Sequence, residues 1–221
     1  MLSPWSDLAF WPNAMYTPSF FEVNDPQLIR TFVEENNFGL IVSSKDGSSI
    51  QETLTPFLYA TETNDLLGHM ARANPHWKEW NGNRRVKIIF QGPHCYVSPN
   101  YYSSSINVPT WNYTAVSMEG EVEIVDDLAE QKAFMHWLVD KHEQNLPQPW
   151  HFDETHKQFM KLFSAVVFFR VRITNTTAKF KLNQNKEESD RLAVIDQLSN
   201  SDSPFERKVA ALMQADLEAH E

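Results

Sequence analysis

The chain has 221 residues, 42% hydrophobic and 22% charged, which fits a packed domain with appended helices and excludes a disordered chain. Its formal net charge is −10, with 29 acidic residues against 19 Lys and Arg, so DNA binding through a broadly basic surface is disfavoured and only a local basic patch stays open. No window supplies the roughly 18 consecutive apolar residues of a membrane span, and the single cysteine, Cys95, excludes an internal disulfide and suits a reducing cytoplasm.

Residues 1–14 hold two Trp and two Pro without helix or strand period and are expected to form a loosely anchored tail, with no basic start of the secretory kind. Asn24-Asp25-Pro26 then caps a helix that places Leu28, Ile29, Phe32 and Val33 on one stripe and ends near Asn36-Asn37. Short β segments follow: residues 39–44, a Lys-Asp-Gly turn at 45–47, a run to about Tyr59 broken by Pro56, and a strand at 66–70. Asn74-Pro75 predicts a short helix over HWKEW. Strands are expected at 85–91 and, separately, at 95–98, followed by a loop over 99–109 and a long strand over 110–126, whose Gly120 marks a bulge or a barrel bend.

Residues 127–143 read as an amphipathic helix with Leu128, Met135, Leu138, Val139 and His142 near one face, behind an acidic start. A short helix near 154–163 leads into SAVVFFRVRIT (164–174), a central strand, and helices at 187–199 and 204–219 close the chain, the last carrying Phe205, Val209, Leu212 and Met213. Strands outnumber helices across 39–175 without regular βα alternation. The expected class is therefore α+β, an antiparallel sheet closed or curled into a barrel with helices packed outside.

The chain contains no G-x-S-x-G, no G-x-x-x-x-G-K-[ST], no G-x-G-x-x-G and no H-E-x-x-H, which removes the support for hydrolase, nucleotide triphosphatase and metalloprotease readings. Eight histidines raise the question of a metal, but His151 and His156 lie five apart, off a shared helical face, and no Cys or carboxylate partner follows a ligand spacing. No metal site is expected.

Three stretches carry possible chemistry. GHMARANPHWK (68–78) puts a strand end, a small-residue turn and a helix start beside Arg72, a combination that suits a phosphate or is a solvated loop. KFKLNQNK (179–186) sets Lys179 and Lys181 on one side of a strand with Gln184 and Asn185 beyond, suited to an anion or a planar heterocycle, or simply a polar loop. VPTWNY (108–113) offers Trp111 as a flat wall for an aromatic ligand or as a core residue. Cys95 is expected to be buried and inert.

Taken together, MYTPSFF (15–21), GHMARANPHW (68–77), FQGPHCYVSPNYY (90–102), NVPTWNY (107–113) and KLNQN (181–185) resemble the PaiB family, described as FMN-binding negative transcriptional regulators. The resemblance implies an FMN-binding split β-barrel with peripheral helices, like that of pyridoxamine phosphate oxidases, usually a homodimer with FMN in clefts between subunits. It divides the chain into a tail (1–14), a split-barrel domain (15–185) and a C-terminal helical extension (186–221). By analogy His69, Met70, Arg72 and Asn74 hold the flavin phosphate, and Thr53, Leu54, Thr55 and Pro56 line the isoalloxazine edge. Gln91, Trp111, Asn112, Lys181 and Gln184 contribute from the other subunit. Family members commonly read Thr-His-Leu-Pro where this chain reads Thr53-Leu54-Thr55-Pro56.

The resemblance implies an FMN-binding regulator. With a net charge of −10 and no helix-turn-helix signature, it is expected to act indirectly, through a protein partner or a flavin-sensed redox state. The alternatives are an FMN-dependent oxidoreductase acting on a small molecule and, further off, a haem-binding split barrel using His69 or His94.

Overall fold

The structure is a computed structural model that describes residues 15–219 except 46 and 48. The expected tail over 1–14 and the middle of the expected turn at 45–47 lie outside the described residues. In chain order the elements are β1 (Glu22–Val23), α1 (Pro26–Glu35), β2 (Phe38–Ser43), β3 (Gln51–Ala60), β4 (Asp65–Ala71), α2 (His76–Glu79), β5 (Arg85–Val97), β6 (Thr110–Ile124), α3 (Leu128–Glu143), α4 (Lys157–Phe163), β7 (Val166–Lys181), α5 (Glu188–Ser199) and α6 (Pro204–Glu218). Contacts divide the chain into two compact units, one of residues 30–90 with 118–176, the other of residues up to 29, 91–117 and from 177 on.

The first unit is an antiparallel barrel. Its strands run in the order β7-β4-β3-β2-β5-β6, and pairing of β6 with β7 closes the ring. Period-two alternation builds the wall. On β3, Phe57 faces a group in which its ring meets Phe90 and Phe169 edge-on at 5.6 and 6.1 Å, and Trp80, beyond the end of α2, lies 4.9 Å from Phe169. The next residue, Leu58, points the other way and packs with Val125, Phe134, Leu138, Phe152, Phe163 and Phe168 beneath α3 and α4. Each fully buried Phe or Leu contributes about 1.5–3 kcal/mol of transfer free energy, so these two layers dominate the unit's stability.

Caps appear where the sequence puts them. Asp25 Oδ1 accepts from Gln27 N at 2.8 Å at the start of α1, and Asp127 Oδ1 accepts from Glu130 N at 2.8 Å at the start of α3. The buried face of α3 is rotated from the expected one: Phe134 and Leu138 are its centre, whereas Leu128 is 52% exposed and His142 faces solvent.

Pro56 does not break β3. It pairs with Phe38 at the end of the β2 register, and from Phe57 onward β3 pairs with β4, so the missing N–H falls where the strand changes partner. Nor do Gly92 and Pro93 divide the strands expected at 85–91 and 95–98, because β5 runs unbroken from Arg85 to Val97 beside β2 and β6. Pairing with neighbours overrides the local turn signal there.

In the second unit, β1 pairs with the far end of β7, Glu22 opposite Lys179. The apolar faces of α5 and α6 supply Val194, Leu198, Val209 and Met213, all fully buried. Asp190, near the start of α5, accepts from Ser103 Oγ at 2.7 Å, Ser104 N at 2.8 Å and Ser104 Oγ at 2.7 Å, which holds the 99–109 loop against the helix. These donors, Ser104 Oγ first, pull its carboxyl down to about 2. Cys95 is buried and its thiol is pushed up to about 12 by desolvation and then by Glu206, the inert form expected of it.

Candidate functional site

Within the barrel unit, β3 and the turn after β4 carry the first group of candidates. Alternation sends Thr53 and Thr55 to one side of β3 and Leu54 and Pro56 to the other, and Leu54 is 61% exposed. Thr55 Oγ1 donates to the carbonyl of His69 at 2.5 Å. Met70 is buried at 4% exposure, so only its backbone could reach a ligand. The His69 ring lies 6.2 Å from Phe134 and 6.1 Å from Phe168, and its buried Nδ1 has no partner among the described residues. Burial lowers the pKa of His69.

Arg72 is anchored and uncompensated. Its Nε donates to Ser164 O at 3.0 Å, its Nη2 to Val166 O at 2.9 Å, and its backbone N–H to Ala165 O at 2.7 Å. Trp77 Nε1 in turn donates to Arg72 O at 3.1 Å. Among the described residues no carboxylate forms an ion pair with the guanidinium, and Arg72 is exposed. The adjoining helix start is weaker than the sequence suggested: α2 has four residues, too few to align a useful macrodipole. The Asn74 and His76 N–H groups are used internally, leaving that of Ala73 without a partner among the described residues. A fixed guanidinium beside an open backbone N–H fits a phosphate ester.

His76 and Ser43 were not legible as part of this group. His76 Nδ1 lies 2.9 Å from Thr53 Oγ1 and Nε2 lies 2.9 Å from Ser43 Oγ, while Asn74 Nδ2 donates to Thr53 Oγ1 at 2.9 Å. Asn74 Oδ1 accepts from His76 N at 3.0 Å. Burial lowers the His76 pKa from 6.5 to about 4. The unfolded chain therefore takes up this proton first as the pH falls, and folding stability should drop between about pH 6.5 and pH 4. Denaturation midpoints at pH 7 and pH 5 check this: His76→Gln should shrink the difference between them, and an undiminished difference would assign the pH dependence elsewhere.

The second group lies in the other unit. Trp111 is 55% exposed and sits among rings, 6.4 Å from His94 and 6.1 Å from Tyr96. Gln91 is exposed as well. Asn112, in contrast, is fully buried, its Nδ2 3.3 Å from Met213 Sδ and its Oδ1 without a partner among the described residues. Gln184 closes the end of β7 on itself, accepting from Leu182 N and donating to Phe180 O, each at 2.7 Å.

The lysines of the 179–186 stretch are each engaged by their own chain. Lys179, 7% exposed, donates to Tyr16 O at 2.8 Å with its ammonium over the rings of Tyr16 and Tyr113. Lys181 donates to Thr110 Oγ1 and Trp111 O, both at 2.7 Å, and Lys186 to Asn107 Oδ1 at 2.6 Å. Burial, and then the charges of Lys179 and Lys186, lower the Lys181 pKa. Among the described residues no group of three His, Cys, Asp or Glu side chains is placed to hold a metal, and no helix is long and apolar enough to cross a membrane.

A closed six-stranded antiparallel barrel with an added strand and outer helices is the fold of the split-barrel flavoproteins. The FAD and haem binding protein of Mycobacterium smegmatis superimposes with a TM-score of 0.58 at 12% identity, over 78% of each chain. The flavocytochrome Anf3 of Azotobacter vinelandii does so with a TM-score of 0.55 at 15% identity, over 73% of this chain and 69% of that one. The chain belongs to the family described as "Putative FMN-binding domain", which matches residues 15–175. It is 36% identical over 204 residues to the protease synthase and sporulation protein PAI 2 of Bacillus subtilis, across 90% of this chain and 97% of that protein, so the PaiB resemblance holds along nearly the whole length.

Proposed function

We propose that this protein binds FMN with the phosphate on Arg72 and the open N–H of the turn beside it, and that it acts as a homodimeric negative regulator of transcription through an indirect or flavin-sensing route. The observation that carries the cofactor reading is the anchored, uncompensated Arg72 in a chain of net charge −10. Thr53 to Pro56 would lie along the ring edge, with Leu54 as its exposed apolar member. When bound, FMN would supply reversible electron transfer, and the protein would orient and shield it.

A row of apolar side chains supports the dimer. Leu40 of β2 stands opposite Leu54 of β3 and Ile89 of β5, and Leu54, Ile89 and the neighbouring Phe38 are 61%, 38% and 61% exposed. A continuous apolar strip across three strands is what a subunit interface covers. The regulatory role draws on the Bacillus subtilis relative, whose name ties it to protease synthesis and sporulation, and the acidic balance favours a protein partner over bare DNA.

The purified protein should be yellow, release FMN identifiable by mass spectrometry, and sediment as a dimer. A colourless protein that takes up no added FMN would overturn the cofactor reading, and a monomer at micromolar concentration would overturn the dimer. Bleaching by NAD(P)H at turnover rates would move the function to an oxidoreductase.

A further inference from the structure

We propose that His76 is a positioning residue for the phosphate cradle: its ring, carrying its proton on Nδ1, ties the 71–76 turn to β2 and β3 and thereby fixes Arg72 and Asn74. The proposal rests on the reading that the phosphate of FMN sits at Arg72. It starts from the fact that one buried residue joins three segments: its ring meets Ser43 at the end of β2 and Thr53 on β3, and its backbone N–H donates to Asn74 Oδ1 in the turn.

Hydrogen-bond accounting selects the tautomer. Thr53 Oγ1 already accepts from Asn74 Nδ2. If the His76 proton sits on Nε2, it is donated to Ser43 Oγ, and the Ser43 hydroxyl proton is left without an acceptor among the described residues, at a residue only 6% exposed. Such an orphan bears the full desolvation penalty of a buried polar group with no partner. If the proton sits on Nδ1, Ser43 donates to Nε2 and Thr53 Oγ1 accepts from both Asn74 and His76. The one proton left over is then that of Thr53, which is only partly buried and can reach water or a ligand. The second arrangement leaves no buried group unsatisfied.

The mechanical consequence follows from the same bonds. Asn74 N donates to Ala71 O at 2.9 Å, and its side chain is held at one end by Thr53 and at the other by His76 N, so the residues on both sides of Arg72 and Ala73 are clamped. A cradle held this way loses little conformational freedom when a phosphate arrives. Without His76 the turn must be ordered by the ligand itself.

The experiment compares FMN with riboflavin, which lacks the phosphate, by flavin-fluorescence titration of the wild type, His76→Gln, Ser43→Ala and Arg72→Ala. Ser43→Ala guards against misfolding of the His76 variant because it removes one hydroxyl bonded to the ring and leaves the imidazole in place. Both His76→Gln and Ser43→Ala should weaken FMN by about tenfold, the scale of one lost hydrogen bond to a positioned group, with riboflavin affinity unchanged. Equal losses for the two ligands, or no loss for either, would overturn the positioning role. If Arg72→Ala weakens FMN while the other two variants do not, only the role of His76 falls. If Arg72→Ala has no effect, the cradle reading falls with it. Independently, nitrogen-15 NMR of the ligand-free protein should show the Nδ1–H tautomer at His76, and the Nε2–H tautomer would contradict the proposal.

Discussion

Arg72→Ala is expected to weaken FMN binding by about 1.5–3 kcal/mol, one to two orders of magnitude in Kd, the usual scale for losing a charge-assisted contact. The guanidinium is held in place before any ligand arrives, by the carbonyls of Ser164 and Val166, so its attraction to a phosphate is not spent on ordering a long side chain. Arg72→Lys should recover only part of the loss, since an ammonium cannot hold two carbonyls in a planar fork and still face outward. The side chain is exposed, so the difference between wild type and variant should shrink as salt rises. Fluorescence titration at low and high ionic strength reads all three, and an unchanged FMN affinity would remove Arg72 from the site.

Gly120→Ala should destabilise the fold by about 2–4 kcal/mol, among the larger effects of a single substitution. A Cβ at this position would run into the carbonyl oxygen of Arg172 and come within 2.7 Å of Val171 Cγ1 and 3.0 Å of the Arg172 carbonyl carbon. Two of these three atoms are backbone of β7, on the seam where β6 closes the barrel, and backbone cannot step aside as a flexible side chain can. Gly82→Ala makes the control: its Cβ would meet only the Lys45 side chain, at 3.1 Å, which can swing away. Urea denaturation should show a large drop in midpoint for the first and little change for the second. Equal midpoints would mean that the seam relaxes.

The close approach at Gly120 had a trace in the sequence, a glycine inside a long strand, but not its cause. A bulge, a bend and a tight crossing leave the same mark in one dimension, and only the pairing of β6 with β7 distinguishes them. Pro56 and the Gly92-Pro93 pair mislead for a related reason. Each is a local breaker, yet Pro56 sits where β3 changes partner and its missing N–H is not needed, and Gly92-Pro93 is held extended within β5. The polar words fare differently from one another. Arg72 does present an open cation, whereas Asn112 and Gln184, equally polar on paper, are consumed by Met213 and by the backbone at the end of β7.

By itself the sequence determined the α+β class, the helix starts at Asp25 and Asp127, the alternation that builds the barrel wall, and the family, because each is written in neighbouring residues or in ordered words. Only the tertiary structure decided which polar side chains remain open to a ligand and which are spent inside. Ser43, Thr53 and His76 have no common spacing in the chain. They meet because β2 pairs with β3 and α2 brings an imidazole against both, and such a meeting is a property of three-dimensional packing that no local pattern encodes.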